Sequence, residues 1–444
     1  MLDIIDRVRC YAKGFERYRY FEEYSKIQWL TLDEMNQFQF KALKDLIQHA
    51  YTTVPYYTKL FNNLGIIPED IRTHHDYSQL PVLARETVKL NLPTLCSTRY
   101  DARSLILNCS GGSTGEPLNF YQDQQLFEKM YANWMLGLSW AGWNGKSTVI
   151  NLWGNPKEFQ KATFSFQKIK EIFSNNIILN AYRYDAETMN RWIKTIKSKK
   201  EVFVYGYSSV LTELAQFIQR KNIAITNVRA VLTSAEQLFG WQRKIIEKNF
   251  QCKVHDQYGS REVPGIACEC ANGNMHILSH SAYVEFIEDD YKLVKKIIVT
   301  SLTNYAMPLL RYEIGDFGQP KDEVCACGRG FPIMQMGIGR TCDCFITPEG
   351  KTIYGTLFVR QMYGINGVKN FQFHQINERK INLYIVKSPI FTLEDEKKTE
   401  YIKLFVKERV SKDMDMAIHF VDAIPKTTGG KHRHIISEIQ KEKI

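Results

Sequence analysis

Apolar and polar positions along this chain repeat with a period that changes from region to region. Over residues 1–100 the apolar spacing is helical, with aromatic-rich amphipathic stretches such as Phe38 to Tyr57 and turns at Val54-Pro55 and Leu80-Pro81. Short apolar runs then take over: Ser104 to Leu107, Ser147 to Trp153, Glu201 to Tyr205 and Asn227 to Thr233 read as buried strands. Between the last two, Ser209 to Lys221 reads as a helix. This rhythm predicts an α/β fold with a mainly parallel sheet. Two further strands are expected at Ala282 to Glu288 and Lys292 to Thr300. Beyond Gly339-Arg340 the pattern changes to short strands (Lys369 to Gln375, Lys380 to Val386) and one charged helix, Leu393 to Val410. The change puts a domain boundary near Arg340 to Asp343. It divides the chain into an N-terminal domain, residues 1–339, and a small α+β C-terminal domain, residues 340–444.

Composition narrows the class. The chain has 444 residues with 24% charged positions, globular rather than disordered, and is long enough to bury an ample core. No run of about 18 apolar residues occurs, so no membrane span is expected. Charges interrupt the N-terminus at Asp3, Asp6 and Arg7, which argues against a secretory leader and for a cytoplasmic location. The net charge of +10 is spread along the chain, so nucleic acid is not the expected partner. From Arg340 onward 18 basic residues face 13 acidic ones, which suits a small unit closing over an anionic ligand and equally an ordinary lysine-rich surface. Of the ten cysteines, six form tight pairs: Cys268/Cys270, Cys325/Cys327 and Cys342/Cys344.

The strongest local signal is the segment Ser110-Gly111-Gly112-Ser113-Thr114-Gly115-Glu116-Pro117. Its glycines and hydroxyls make a loop whose amides and side chains can wrap phosphate oxygens. It is not a Walker A loop, and the nearest approximations, Gly145-Lys146-Ser147 and Gly350-Lys351-Thr352, have Trp140 and Phe345 where the first glycine belongs. Asp256-Gln257-Tyr258-Gly259-Ser260-Arg261-Glu262 combines an aromatic face, a tight turn and a carboxylate able to hold Mg²⁺. Tyr312-Glu313-Ile314-Gly315-Asp316 sets an acid in a turn, suited to ribose hydroxyls, and Pro425 to Lys431 sets a lysine on a glycine turn. Singly, each of these is more often a turn or a solvated charge.

Together, in this order over residues 108–433, they resemble the adenylate-forming (AMP-forming) ligase superfamily. The helical N-terminus and Cys325-Ala326-Cys327-Gly328-Arg329 are most similar to its phenylacetate–CoA ligase branch, and within that to the capsule-biosynthesis adenylating proteins. The resemblance implies a large ATP- and acid-binding domain with mixed or parallel sheets and a small mobile C-terminal domain. It implies that Ser110, Gly111, Gly112, Ser113, Thr114 and Gly115 bind the β- and γ-phosphates of ATP. Ser234, Ala235 and Glu236 would line the base, with Tyr258 packed on adenine within the Asp256, Gln257, Gly259, Ser260 segment. Glu262 would contact Mg²⁺, Asp316 and Arg340 the ribose, and Lys431 the carboxylate and α-phosphate in the transition state. Asp343 would be the hinge. One departure is plain: Leu118 stands where many relatives carry lysine.

Cys270, His276, Cys325 and Cys327 offer three thiolates and an imidazole, a donor set that suits closed, structural Zn²⁺. Cys268 is the alternative to Cys270, and free cysteines with a surface histidine are the alternative to a metal. Cys342/Cys344 reads as a buried pair, and His255 as packing or catalysis. In relatives the carboxylic acid lies between the Trp153-Gly154 strand end and Tyr205-Gly206-Tyr207; here both are aromatic and suit a planar acid, though Trp153 and Tyr207 could equally be core. The implied activity is ATP-dependent formation of an acyl-adenylate, with coenzyme A as the expected acceptor. A sugar or amino-acid amine is the second reading, and a non-catalytic nucleotide-binding protein the third.

Overall fold

The computed structural model describes residues 7, 10–110, 118–154, 175–182, 184–288, 295–340, 344–349, 352–354, 356–363, 365, 367–425 and 433–439. Helices fill the start of the chain as expected: Arg17–Ile27, Leu32–Thr53, Pro55–Leu64, His74–Ser78 and Arg85–Leu90. Thr31 and Glu34 form a capping box that starts the second of these, which buries Met35, Leu43, Leu46, Ile47 and Ala50 along one face. It ends at Val54, held extended by the following proline, and Pro55 then opens the next helix at a position where its missing N–H costs nothing.

A short hairpin follows, β1 (Ile106–Cys109) against β2 (Asn119–Gln122). Its first strand begins two residues later than the apolar run predicts, because Ala102–Ser104 forms a 3₁₀ turn. The large sheet takes β3 (Thr148–Trp153), β4 (Asn176–Asn180), β5 (Val202–Tyr207), β6 (Val228–Ser234) and β7 (Lys253–Tyr258) as a parallel half. The other half is antiparallel: β8 (Ala267–Glu269), β9 (Met275–Ile277), β10 (Ala282–Glu288), β11 (Lys295–Ser301), β12 (Tyr312–Lys321) and β13 (Ile333–Arg340). Strand order is β10-β11-β12-β13-β9-β8-β7-β6-β5-β3-β4. The sheet is thus mixed rather than mainly parallel. The switch falls at β7, where a tight turn at Gly259 sends β8 back antiparallel beside it.

Continuous apolar runs mark the parallel strands because helices cover them. The helices Ala186–Lys197, Ser208–Arg220 and Gly240–Phe250 bury Trp192, Ile196, Leu211, Leu214, Ile246 and Phe250 against Val204 and Val231. A second core packs Tyr57, Phe61 and Tyr77 of the N-terminal helices onto Val299 and Tyr312 of the antiparallel half. Arg311, buried, ties the two: its guanidinium pairs with Glu285 and donates to the carbonyls of Ser78 and Leu80.

After the two-stranded β14 (Cys344–Ile346) and β15 (Thr352–Tyr354) comes a four-stranded sheet, β16 (Val368–Asn377), β17 (Lys380–Lys387), β18 (Asp415–Phe420) and β19 (Ile435–Ser437), ordered β18-β17-β16-β19. Ile381, Leu383 and Ile385 alternate inward along β17 and meet Ile402 and Val406 of the Leu393–Arg409 helix. No described helix is long and apolar enough to cross a membrane.

Candidate functional site

The carboxyl ends of β3, β5, β6 and β7 lie in one row. Leu152 is opposite Gly206, Gly206 opposite Thr233, and Thr233 opposite Asp256; one residue further, Tyr207, Ser234 and Gln257 align. Ligands of open parallel sheets sit outside these strand ends. The positions singled out in the sequence at Trp153 to Gly154, Tyr205 to Tyr207, Ser234 to Glu236 and Asp256 to Tyr258 therefore gather on one edge. Trp153 stacks on Tyr207, ring centroids 4.3 Å apart, and on Tyr205 at 5.4 Å. Between them Gly206 has no room for a side chain: a Cβ there would stand 2.9 Å from the Leu152 carbonyl.

Beyond β6, Ala235 takes a left-handed conformation, φ 65°, an uncommon position for a residue with a Cβ. The turn brings the Glu236 carboxylate to the start of the Ser208–Arg220 helix, where it accepts from the Ser209 N–H at 2.9 Å and the Ser208 hydroxyl at 3.3 Å. Asp256 accepts from the Thr233 hydroxyl at 2.7 Å, while its own N–H donates to Glu269. Burial pushes the Asp256 carboxyl up to about 7, and the Glu269 charge adds to the rise. His255 is buried, its Nδ1 facing the Glu269 carbonyl at 3.4 Å, and burial lowers its basicity. It is a packing residue.

Past β7 the chain turns at once: Ser260 N–H donates to the Val263 carbonyl, and the Val263 N–H to Ser260 Oγ, both at 3.0 Å. Gly259 is required here, since a Cβ would press within 2.9 Å of the Gly265 amide. The Tyr258 hydroxyl donates to Asp316 Oδ2 at 3.0 Å, joining two positions far apart in the chain. Asp316 in turn lies in register with the backbone of Arg340.

Glu262, buried, stands beside the β1–β2 hairpin. Ser110 and Leu118 close the stem of that hairpin: Ser110 N–H donates to the Leu118 carbonyl at 2.8 Å, and Leu118 N–H to Ser110 Oγ at 2.9 Å. Arg261 reaches the Cys109 carbonyl of the stem at 3.1 Å. Arg85, which no sequence signal marks, places its guanidinium 3.0 Å from Ser110 Oγ and 3.7 Å from Glu262. Gly111 to Gly115, Cys342, Asp343 and Lys431 lie outside the described residues.

A second cluster lies in the antiparallel half. The ligating atoms of Cys270, His276, Cys325 and Cys327 all fall within 4.8 Å of one another. Cys270 and Cys325 sulfurs are 3.7 Å apart, and Cys327 Sγ is 3.4 Å from His276 Nε2. His276 Nδ1 sits 2.9 Å from the Phe331 carbonyl, so that nitrogen is the donor and Nε2 keeps a lone pair for a metal. Asn274 Nδ2 lies 3.3 Å from the Cys325 sulfur. Burial raises the Cys325 thiol, but hydrogen bonds led by that from Asn274 outweigh it and draw the group toward thiolate. These four residues could hold a metal ion. Cys268 is not among them. Strand β8 ends at Glu269, and a turn closed by Cys270 N–H on the Asn274 carbonyl (2.9 Å) carries Cys270 alone to the cluster.

A large mixed sheet followed by a small sheet domain is the architecture of adenylate-forming ligases, and solved structures match it nearly end to end. The 2-hydroxyisobutyryl-CoA ligase in its postadenylation state, bound to R3-HIB-AMP, superposes with a TM-score of 0.70 at 15% identity over 94% of this chain and 93% of that one. ATP-bound MatB from Rhodopseudomonas palustris gives 0.53 at 13% identity, covering 76% and 68%. The chain shares the fold of the adenylate-forming ligases. In sequence it is similar to CapK and to the phenylacetate–CoA ligases: Protein CapK of Staphylococcus aureus is 24% identical over 95% of this chain and 93% of that protein. Phenylacetate-coenzyme A ligase of Thermus thermophilus is 22% identical over 74% and 76%. Residues 345–438 match the CapK C-terminal domain family.

Proposed function

We propose that this chain activates a carboxylic acid with ATP and passes the acyl group to coenzyme A. The observation that carries the reading is the single row of strand ends, with Tyr258 bonded to Asp316 on one side and Glu262 set beside the hairpin stem on the other. In the first half-reaction a carboxylate oxygen attacks the α-phosphorus, the bond to the bridging oxygen breaks, and pyrophosphate leaves. Tyr258 packs on adenine, with Ser234 to Glu236 and Asp256 to Ser260 around it. Asp316 and Arg340 hold the ribose. Ser110 to Gly115 carry the outer phosphates with Mg²⁺ on Glu262, and Lys431 balances the charge that grows at the α-phosphate. The acid lies between Trp153-Gly154 and Tyr205-Gly206-Tyr207. In the second half-reaction the thiol sulfur attacks the acyl carbon, the bond to AMP breaks, and the thiol proton is lost. The division into domains 1–339 and 340–444, pivoting at Asp343, belongs to this reading.

Cys270, His276, Cys325 and Cys327 are assigned to structural zinc. Bonds of about 2.3 Å to sulfur and 2.0 Å to nitrogen at tetrahedral angles imply sulfur–sulfur and sulfur–nitrogen separations near ~3.8 and ~3.5 Å. The separations of 3.7 and 3.4 Å fit. With four protein donors no position is left for substrate, so the metal's contribution there is to hold the fold.

A second reading keeps the first half-reaction and delivers the acyl group to an amine of a sugar or amino acid. It goes with the resemblance to the capsule-biosynthesis adenylating proteins, to one of which, CapK, the chain is similar over 95% of its length at 24% identity. ATP–pyrophosphate exchange across a panel of carboxylic, aryl and amino acids tests the shared step. Exchange with one acid supports it, and adding coenzyme A or amines then separates the acceptors. Silence across the panel with ATP still bound would instead support a non-catalytic nucleotide-binding protein.

A further inference from the structure

Resting on the ATP reading above, we infer that the acid activated here is an aromatic carboxylic acid bearing an oxygen substituent on its ring. The ring is seated against Trp134 and the Tyr205–Trp153–Tyr207 stack, and the carboxamide of Gln257 meets the oxygen. Side chains alternate along a strand, so the ends of β6 and β7 present two faces. Thr233, Asp256 and Tyr258 share one, the face assigned above to the base. Ser234 and Gln257 share the other, in register with Tyr207 of β5. The Gln124–Trp140 helix covers this second face. Its Leu138 packs with Phe203 and Leu232, and Trp134 meets Tyr205 edge-on, ring centroids 6.2 Å apart at 90°. Trp134, Tyr205, Trp153 and Tyr207 all stay partly exposed. Rings in mutual contact that still show surface to a cleft make an apolar wall suited to a flat ring.

Gln257 marks the polar end of this wall. Its Nε2 is enclosed by protein and has no acceptor, although the residue as a whole remains partly exposed. The carboxamide reaches in to Gly137, one turn along from Trp134, where a Cβ would overlap Nε2 and stand 3.1 Å from the Cys268 sulfur. A glycine inside a helix costs about 0.5–1 kcal/mol relative to alanine, and here it makes room for this side chain. An enclosed N–H without a partner costs about 1–3 kcal/mol. The two ends of a carboxamide have the same shape, and turning the group over removes that cost. Oε1 then lies in the seam beside the Cys268 thiol, a donor, and the N–H bonds point out of it on the face shared with Tyr207. The neighbouring Tyr205 and Ser234 hydroxyls already engage each other, which leaves recognition to Gln257. Donors at that spot call for an acceptor on the acid. A ring hydroxyl or ether oxygen supplies one, whereas an unsubstituted aryl acid would leave the donors unmatched.

The test is acid-dependent ATP–pyrophosphate exchange by the full-length protein, wild type and Gln257→Leu. The acids are benzoate, phenylacetate and cinnamate, each beside its hydroxy and methoxy ring isomers, with butyrate, octanoate and alanine as non-aromatic acids. In the wild type kcat/KM for at least one oxygen-bearing isomer is expected to exceed that of its parent by about 10-fold or more. Gln257→Leu should bring the pair within about threefold, mainly by losing the oxygen-bearing acid. Both acids are read against the same ATP, so any effect of the substitution on nucleotide binding cancels in the ratio. Parent acids used as well as every oxygen-bearing isomer, or a preference that survives Gln257→Leu, overturn the assignment. Exchange with the non-aromatic acids alone also overturns it and leaves the ATP reading standing, whereas no exchange with any acid overturns that reading itself. Should Gln257→Leu not fold, Gln257→Met, unbranched and equally without an N–H, takes its place with the same two outcomes.

Discussion

The Cys270–His276–Cys325–Cys327 corner and the strand-end row meet opposite demands with the same materials. At the corner every donor turns inward toward three others, and the spare imidazole nitrogen is committed to Phe331. At the row, Tyr207, Ser234, Tyr258 and Asp316 remain partly exposed, and the hydrogen bonds there link neighbours across strand ends instead of closing a shell. A closed donor set stabilises one conformation, while an open one leaves capacity for a ligand that comes and goes. The corner also clamps the start of the chain. Gly330 N–H donates to the Gln28 carbonyl at 3.1 Å, and Arg329 lies over the rings of Trp29 and Trp140 at 5.0 and 4.5 Å. One region should therefore register damage as lost stability, the other as lost turnover.

The largest expected effect concerns turnover. On the proposed reaction, in which Lys431 would act on charge present only in the transition state, Lys431→Ala should reduce acid-dependent pyrophosphate exchange by about 10²-fold or more while leaving ATP affinity within a few-fold. Exchange at the wild-type rate would remove Lys431 from the chemistry. The closed corner should behave in reverse. Metal analysis is expected to find about one zinc per chain, and Cys325→Ser to lose it and melt lower by roughly 10 °C, the scale for several kcal/mol in a chain this long. Cys268→Ser should keep the metal and so acts as the matched control. Zinc-free wild-type protein of equal stability would dissolve the contrast between the two regions.

What could be read from sequence follows from how local each cause is. Strands β3, β5 and β6 were legible within a residue or two because their apolar runs are covered by helices on a short sequence scale. The three-residue β8 and β9 carry no run to read, so the antiparallel return was hidden from the apolar pattern, and only the family resemblance pointed to mixed or parallel sheets. The candidate metal donors were visible as paired cysteines, yet Cys268 and Cys270 could not be told apart until the end of β8 was known. Motif spacing marked Tyr258 and Asp316 singly, while their hydrogen bond depends on β12 returning beside β11. Arg85 has no local signature at all. Its partners Ser110 and Glu262 reach it only through the fold, and its helix, six residues long, resembles any surface turn.

Within the open site the smaller effects separate geometry from charge. Tyr258→Phe keeps the ring for stacking and removes only the hydroxyl that holds Asp316 at 3.0 Å. One such hydrogen bond contributes about 0.5–1.5 kcal/mol, so the Kd for ATP should rise by no more than about tenfold. Tyr258→Ala, which also removes the ring, should cost more. Equal losses in the two variants would mean the ring does not touch the base.

The smallest effect belongs to Asp256, and it is one of stability with a defined sign. Burial lifts its carboxyl to about 7 from an ordinary value of 3.8, so between these limits the folded chain holds a proton that the unfolded chain has released. Stability contributed by this group therefore falls as pH rises from about 4 to about 7 and is flat above, since folding must then place a charge beside Glu269 in a buried position. Asp256→Asn keeps an acceptor for the Thr233 hydroxyl and cannot ionise. It should raise the melting temperature by about 2–5 °C at pH 8, and the gain should shrink steadily toward pH 4. A gain independent of pH would show that the change repacks the end of β7 without touching its electrostatics. A loss at pH 8 would mean the charged carboxylate is stabilised there, and the strand-end row would then have to be redrawn with an anion at its centre.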